Sequence, residues 1–316
     1  MTTLRVVFFG SPAFAVPTLA TLAAAPGVEV VAVVTQPDRP RGRGQKVTPG
    51  AVKAWAASAG LPVLQPAKLG DPGVRDALAA LDADLGVVAA YGKLLPAWLL
   101  ALPRRGMINV HASLLPAYRG AAPVHRAILD GASETGVTIM RVVLELDAGP
   151  MLDRVVVPID DAVTSDVLEA CLAIEGAALL GAVVERLRHG PVGETPQDAS
   201  LATYAAKITR ADAPMHWDRP ARVLHDQVRG LHPWPHASFA VEGRRVIAHR
   251  SVVPGVPSAA PPGTVVAAGR DGIDVAAGDG QCLRLLVLQL EGGRPLPAAE
   301  FQAGRGLPLG AVCRPA

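Results

Sequence analysis

Two unbroken apolar runs constrain the fold more than any other feature of the sequence. Residues 4–9 (LRVVFF) and 28–35 (VEVVAVVT) are rich in β-branched and aromatic side chains, with little alternation of apolar and polar positions. A strand with one face in water alternates, whereas a strand buried on both faces does not. The two runs therefore predict a parallel sheet that is covered by helices on both sides.

The alternation of strands and helices continues along the first part of the chain. Further strands are predicted at residues 62–64, 85–90, 107–111, 136–144 and 151–158, and helices at about residues 13–24, 51–58, 74–80 and 165–188. Strands that alternate with helices in this way predict a doubly wound α/β fold with a mostly parallel sheet. In such folds ligands bind beyond the carboxyl ends of the strands.

The last third of the chain has a different pattern. Short strand-like segments at residues 238–241, 245–249, 263–267, 272–276 and 283–290 are separated by turns rich in Gly and Pro. This pattern predicts a small antiparallel barrel. Because the preceding segment is polar and contains Pro, we expect an α/β domain over residues 1–189, a linker over 190–207 and a barrel domain over 208–316.

Composition excludes several classes of protein. The charged fraction is 18% and the net charge is +2, which is too balanced for a disordered chain. The three cysteines have no CxxC spacing and the eight histidines no ligand spacing, so neither a disulfide framework nor a metal site is indicated. We expect Cys171 to be a small core residue. The lack of a disulfide pattern fits a protein of the reducing cytoplasm. No apolar run free of Gly, Pro and charge is long enough to span a membrane.

The turn after the first strand argues against a dinucleotide site. A Rossmann cofactor domain has G-x-G-x-x-G at this position, but residues 10–15 (GSPAFA) contain one Gly. The sequence also has no G-x-x-x-x-G-K-[ST] phosphate loop. The sheet is therefore a poor candidate for binding NAD or for a Walker-type phosphate site.

The segment at residues 107–120 (MINVHASLLPAYRG) contains the first candidate site residues. Asn109 and His111 are two apart on a predicted strand, so their side chains share one face. An Asn there can donate a hydrogen bond to a developing oxyanion, and a His can donate or move a proton near neutral pH. On its own, Asn-x-His fits equally a strand end whose polar side chains cap nearby backbone.

A carboxylate follows the next predicted strand. Asp147 lies in a loop that contains Gly149 and Pro150. Such a carboxylate can hold a histidine in one tautomer or accept a proton, although Asp before Gly is also common in ordinary turns.

The run N-V-H-x-S-L-L-P-x-x-R-G-A-A-P, followed downstream by D-x-G, resembles the signature of folate-dependent formyltransferases. Over nearly its whole length the chain resembles the methionyl-tRNA formyltransferase family. The resemblance implies a Rossmann-like α/β domain followed by an OB-like barrel that also touches tRNA. It implies a catalytic trio of Asn109, His111 and Asp147. It also implies a contact between tetrahydrofolate and the SLLP segment, which is Ser113, Leu114, Leu115 and Pro116.

A basic segment at residues 35–49 (TQPDRPRGRGQKVTP) separates acceptors within the superfamily. It reads as a long exposed loop with four cations: Arg39, Arg41, Arg43 and Lys46. Such a loop can bind a phosphate backbone by Coulomb attraction and become ordered when it binds. A basic loop is also often simply exposed to solvent without a partner. In the family that the chain resembles, a loop of this pattern enters the tRNA acceptor stem, and Arg43 is the position carried over as a contact.

The resemblance implies transfer of a formyl group from 10-formyltetrahydrofolate to initiator methionyl-tRNA. Because the histidines have no ligand spacing with cysteines or carboxylates, we expect no metal, and because no long exposed apolar pattern is evident, we expect a monomer. Three alternatives remain: a sugar-nucleotide formyltransferase, a glycinamide ribonucleotide formyltransferase and a non-enzymatic RNA-binding protein. The basic loop and the barrel argue against the first, and the barrel argues against the second. The intact trio argues against the third.

Overall fold

The structure is a computed structural model that describes residues 3–41, 46–304 and 306–316. The chain forms two compact units, and neither is continuous in sequence. The first comprises Met1–Gly120, Thr135–Val157 and Glu169–Tyr204, and the second comprises Ala121–Glu134, Pro158–Leu168 and Ala205–Ala316. Residues 190–204, which we expected to belong to a linker, fall within the first unit.

The elements up to residue 205 include all the strands and helices that the sequence predicts there, together with further short ones that it does not predict. The strands are β1 Leu4–Gly10, β2 Val28–Val34, β3 Arg39–Arg41, β4 Lys46–Thr48, β5 Val63–Leu64, β6 Leu85–Ala89, β7 Met107–His111, β8 Arg119–Gly120, β9 Glu134–Arg141, β10 Met151–Pro158 and β11 Tyr204–Ala205. The helices are α1 Ala15–Ala24, α2 Ala51–Ser58, α3 Pro72–Ala79, α4 Ala97–Leu100, α5 Pro123–Leu129 and α6 Ser165–His189.

The main sheet of the first unit has the strand order β10-β9-β7-β6-β1-β2-β5. Neighbouring strands from β7 to β5 are parallel, and β9 pairs antiparallel with β7. Every residue of β6 is buried, as are the last five residues of β2. Because these strands lie inside two helical layers, both of their faces are apolar, which is why their sequences do not alternate.

Strand β9 is shorter than the predicted strand at residues 136–144. It ends at Arg141, and Leu144 is 72% exposed in the loop that follows. An apolar β-rich run continues past the last paired residue, so the pattern alone could not locate the end of the strand.

Helix α6 packs one stripe of apolar residues into the core. Its buried residues are Ser165, Leu168, Leu172, Ala173, Gly176, Ala177, Leu180, Val183, Val184 and Leu187. By length and composition α6 could cross a membrane, but 44% of its apolar window is buried inside the protein. Cys171 is exposed, so the prediction that it is a core residue is wrong. The helix turns Cys171 away from the stripe that contains Leu172.

The second unit is built around an antiparallel sheet. Its later elements are α7 Ala221–Gly230, β12 Ala237–Val241, β13 Arg244–Val252, β14 Val265–Gly269, β15 Gly272–Ala276, β16 Cys282–Leu290, β17 Leu296–Pro297, α8 Ala298–Ala303 and β18 Arg314–Pro315. The strand order is β14-β15-β16-β13-β12-β18, with β17 beside β16. A bridge between Thr264 and Val312 brings the two edges of the sheet together, so the sheet curls towards the predicted OB-like barrel.

The curled sheet of the second unit encloses a continuous apolar core. Its centre contains Trp217 and Phe239, whose rings meet edge to face with centroids 5.4 Å apart. Helices α4, α5, α7 and α8 were not predicted. Helix α7 contains a buried ion pair between Asp226 and Arg229, so its sequence is too polar to stand out as a core element.

Candidate active site

Strand β7 places Asn109 and His111 on one face of the main sheet. Asn109 lies opposite Met140 of β9, and His111 lies opposite Thr138. The His111 side chain is 6% exposed, and the Asn109 amide makes no hydrogen bond to another described residue. The sequence prediction that an amide and an imidazole share one face follows from the alternation of side chains along this strand.

The loop between β9 and β10 brings Asp147 to His111. The Asp147 Oδ2 atom lies 3.7 Å from His111 Nδ1 and accepts a hydrogen bond of 2.9 Å from the Gly120 N–H. At 3.7 Å the carboxylate oxygen and the imidazole nitrogen are close, but the separation is too long for a hydrogen bond. The structure thus brings together the imidazole and the carboxylate that the sequence singled out.

The other nitrogen of His111 determines which tautomer is present. His111 Nε2 lies 2.9 Å from the Tyr118 carbonyl oxygen. A carbonyl oxygen can only accept, so Nε2 holds the hydrogen and donates it. In the neutral ring Nδ1 therefore has a lone pair that faces the carboxylate side of the site. That nitrogen can take up a proton, and the protonated ring can then donate from Nδ1.

The Asp147 backbone is held in an uncommon conformation. Its φ angle is +50°, a left-handed value that Asp tolerates better than most residues. The Gln197 side-chain amide donates to the carbonyl oxygens of Asp147 and Gly149, at 2.8 Å each. A strained backbone conformation persists only where surrounding contacts hold it in place. The two hydrogen bonds from Gln197 hold the backbone on either side of Ala148, so Gln197 positions the Asp147 carboxylate.

Gln197 in turn is fixed by Arg119. Arg119 donates to the Gln197 side-chain oxygen from Nε at 3.1 Å and from a terminal nitrogen at 2.9 Å. Arg119 belongs to the motif that follows the SLLP segment, but no pattern in the sequence assigns it a contact. Gln197 lies in a stretch that looked like a linker, and no sequence signal marks it.

The SLLP segment forms a turn directly after His111. Ser113 and Leu115 are buried, whereas Leu114 and Pro116 are partly exposed. The buried Thr138 hydroxyl donates to the Ser113 carbonyl oxygen at 2.7 Å and accepts from the Leu115 N–H at 3.1 Å. One side chain therefore satisfies two backbone groups of the turn.

The turn also requires a glycine on the neighbouring strand. A Cβ atom on Gly136 would lie 2.0 Å from the Val155 carbonyl oxygen and 2.5 Å from the Leu114 side chain. Any larger residue would push Leu114 away from the sheet. Gly136 therefore allows the close approach of Leu114, one of the candidate folate contacts.

The segment predicted as a basic loop contains a short hairpin. Strands β3 and β4 pair antiparallel, with Arg39 opposite Thr48 and Arg41 opposite Lys46. These strands are three residues each, and one contains Pro, so they were too short to recognise from their pattern. Arg39 is exposed, whereas Arg43 lies outside the described residues and the side chains of Arg41 and Lys46 are not described.

The base of the hairpin is fixed by an acidic side chain. Asp38 is paired with the Lys53 ammonium and accepts a hydrogen bond of 3.0 Å from the Gln65 amide. The hydrogen bond from Lys53, with the second from Gln65, holds the pKa of Asp38 below its ordinary value. The carboxylate is therefore charged at neutral pH and anchors the start of the basic segment.

Comparison with known sequences identifies the family. The family described as formyl transferase matches residues 4–184, and the formyl transferase C-terminal domain matches residues 207–306. A protein of Bacillus licheniformis named methionyl-tRNA formyltransferase is 45% identical over 97% of this chain and 96% of its own length. A protein of Xanthomonas axonopodis with the same name is 47% identical over 96% of this chain and 99% of its own length.

The chain belongs to the methionyl-tRNA formyltransferase family. The family resemblance seen in the sequence is thereby confirmed, together with the fold class that it implied.

Solved structures agree with the methionyl-tRNA formyltransferase family at the level of the fold. An N-formyltransferase of Helicobacter canadensis, solved with folinic acid and dTDP-3-aminofucose, has a TM-score of 0.68 at 15% identity and covers 90% of this chain and 99% of its own. HypX of Aquifex aeolicus, solved with tetrahydrofolic acid, has a TM-score of 0.61 at 15% identity and covers 95% of this chain and 47% of its own.

The turn after β7 in this family member gives a stability prediction. We expect Thr138→Val, which removes the hydroxyl at nearly constant volume, to lower the free energy of unfolding by about 2–4 kcal/mol, because two buried backbone groups lose their partner. Thr138→Ser retains the hydroxyl and is expected to cost about 1 kcal/mol for the lost methyl group. Urea unfolding of the purified variants measures both effects, and equal losses would show that the hydroxyl does not hold the turn.

Proposed function

We propose that the chain transfers a formyl group from 10-formyltetrahydrofolate to the α-amino group of initiator methionyl-tRNA, for translation initiation. The observation that supports this most is the near full-length identity of 45–47% to proteins named methionyl-tRNA formyltransferase. The contact between His111 and Asp147, beside the Asn109 amide, supplies groups suited to acyl transfer.

The proposed reaction begins with attack of the amine nitrogen on the formyl carbon. A C–N bond forms, and the carbonyl oxygen becomes an oxyanion. The Asn109 amide, which has no other hydrogen-bond partner among the described residues, donates to that oxyanion. The carbonyl then re-forms as the bond from the formyl carbon to the folate nitrogen breaks, and that nitrogen takes up the proton that His111 removed from the amine.

The imidazole and the carboxylate handle the proton of the attacking amine. Because His111 Nε2 donates to the Tyr118 carbonyl oxygen, we assign proton uptake to Nδ1. The Asp147 carboxylate stabilises the imidazolium that results, and Gly120 and Gln197 hold it in place. No step of this reaction needs a covalent enzyme intermediate.

We propose that folate contacts the turn after β7. The partly exposed Leu114 and Pro116 present apolar surface next to His111. Ser113 and Leu115 are buried, and the Ser113 hydroxyl donates to the Ala117 carbonyl oxygen at 2.6 Å, so these two residues shape the turn from within. Two proteins of similar fold were solved with folates, which fits a folate co-substrate.

We further propose that tRNA contacts the basic hairpin through Arg39, Arg41, Arg43 and Lys46. The exposed Arg39 and the anchored base of the hairpin support this assignment. In this proposal residues 1–189 perform the chemistry and residues 208–316 add contacts to tRNA. The three free cysteines fit a reducing cytoplasm.

The first test of the function replaces the imidazole. We expect His111→Ala to lower the rate of formyl transfer to charged initiator tRNA about 100- to 1000-fold, because the proton acceptor is lost. His189→Ala, which changes an exposed histidine of α6, serves as the control and is expected to be unaffected. Near wild-type turnover by the folded His111→Ala variant would remove the trio from the mechanism.

The acceptor is tested separately from the chemistry. We expect charged initiator tRNA to accept the formyl group and a UDP-amino sugar, assayed in parallel, to remain unmodified. Formylation of the sugar in preference to the tRNA would favour the sugar-nucleotide alternative instead.

The basic hairpin gives the second functional prediction. We expect Arg43→Ala to raise the KM for tRNA and lower kcat while the KM for folate stays the same. The slope of log K against log salt concentration for tRNA binding should also decrease by about the amount expected for one lost phosphate contact. Arg154→Ala removes an exposed arginine of β10 and serves as the control. Unchanged kinetic constants for Arg43→Ala would exclude the hairpin from tRNA binding.

A further inference from the structure

Three histidines of the second unit converge at one place. His232 and His236 lie in the turn that follows α7, and His249 lies in β13. One ring nitrogen of each lies within 4.8 Å of the others. We propose that these three side chains form a binding site for a divalent transition-metal ion of the Zn²⁺ class, separate from the formyl-transfer chemistry.

Two of the ring nitrogens have no other partner. The Nδ1 atoms of His232 and His236 are buried and make no hydrogen bond to any described residue. A buried polar atom without a hydrogen-bond partner is unfavourable, so such atoms in native proteins call for an explanation. A metal ion between the rings would satisfy both nitrogens.

The third ring is oriented by a hydrogen-bond chain. The Gln289 side-chain amide donates to the Gly293 carbonyl oxygen at 2.9 Å, so its own oxygen faces His249. That oxygen lies 2.8 Å from His249 Nε2, which must therefore hold the hydrogen. The lone pair of His249 is left on Nδ1, the nitrogen that remains for an ion.

Outer partners of this kind are typical of metal-binding histidines. A ligating histidine usually donates its second N–H to a carbonyl or carboxylate, which fixes the ring and strengthens the ligand. Gln289 has this position towards His249, and the Asp166 carboxylate lies 4.0 Å from His232 Nε2.

The geometry fits zinc after a small movement. Nitrogens that bind Zn²⁺ at 2.0–2.1 Å in a tetrahedron are about 3.4 Å apart. The clustered ring nitrogens lie within 4.8 Å of one another, so they need to approach by roughly 1.4 Å at most (4.8 minus 3.4). Three imidazoles leave a fourth position for water. Imidazole ligands favour Zn²⁺, Cu²⁺ and Ni²⁺ over Mg²⁺ and Ca²⁺.

The sequence could not have shown this site. His232 and His236 come from a turn, whereas His249 comes from the middle of a strand, and only the fold brings them together. A bound ion would link the turn to β13. It would therefore stabilise the second unit in proportion to how tightly the ion binds.

The test titrates the full-length chain, purified without a polyhistidine tag, with ZnCl₂ in a calorimeter. We expect one Zn²⁺ per chain, no response to MgCl₂, a higher Tm with zinc, and the visible absorption of tetrahedral Co²⁺ when cobalt replaces zinc. No zinc binding by the wild-type chain, or binding without a change in Tm, would overturn the proposal.

Variants locate the ion. His236→Asn suits the φ angle of +65° at this position, because Asn tolerates left-handed backbone, and His249→Gln retains a polar side chain. We expect each to weaken zinc binding by at least about 100-fold, and Gln289→Leu by about 10-fold. His216→Gln, at an exposed histidine of the same unit, is the control. Retained binding in His236→Asn and His249→Gln, or equal loss in the control, contradicts the site.

Discussion

The contact between Asp147 and His111 is the interaction on which the candidate active site depends. The two residues belong to different strands and connections of the main sheet, and their approach to 3.7 Å requires the loop after β9 to fold back over β7. That loop is held by the Gly120 N–H on the carboxylate and by Gln197 on the backbone. Without these restraints the left-handed backbone at Asp147 would relax, and the carboxylate would move away from the imidazole.

The other side of the site is equally determined by the sheet. Thr138 lies opposite His111 in the register of β7 and β9, and its hydroxyl fixes the turn that follows His111. The strand pairing that positions the imidazole therefore also positions the candidate folate-binding turn. A shift of one residue between β7 and β9 would turn Asn109 and His111 to the opposite face and disrupt both features.

Much of the fold could be predicted because its signals are local. The apolar runs of β1 and β2 identify buried parallel strands, and β7 and β10 were predicted with the observed bounds. Helices α5 and α8 are short, and α7 is polar, so they had no comparable signal.

Contacts between distant parts of the chain could not be predicted. The pattern placed Asn109 and His111 on one face, but the family resemblance was needed to connect Asp147 to them. Gln197 and the cluster around His236 depend on how the chain folds back on itself: His232 and His236 are four residues apart, but nothing in the sequence connects them to His249. The exposure of Cys171 could not be predicted for a similar reason, because an apolar helical segment does not show which of its sides faces the core.

The most direct measurement is a double-mutant cycle on the single-turnover rate of formyl transfer to charged initiator tRNA. It compares the wild-type chain with His111→Ala, Asp147→Asn and the double variant. If the carboxylate acts through the imidazole, the double variant should be about as slow as the slower single variant, because the two residues work as one unit. Rate losses that multiply in the double variant would show that the two side chains act independently, and would contradict the account.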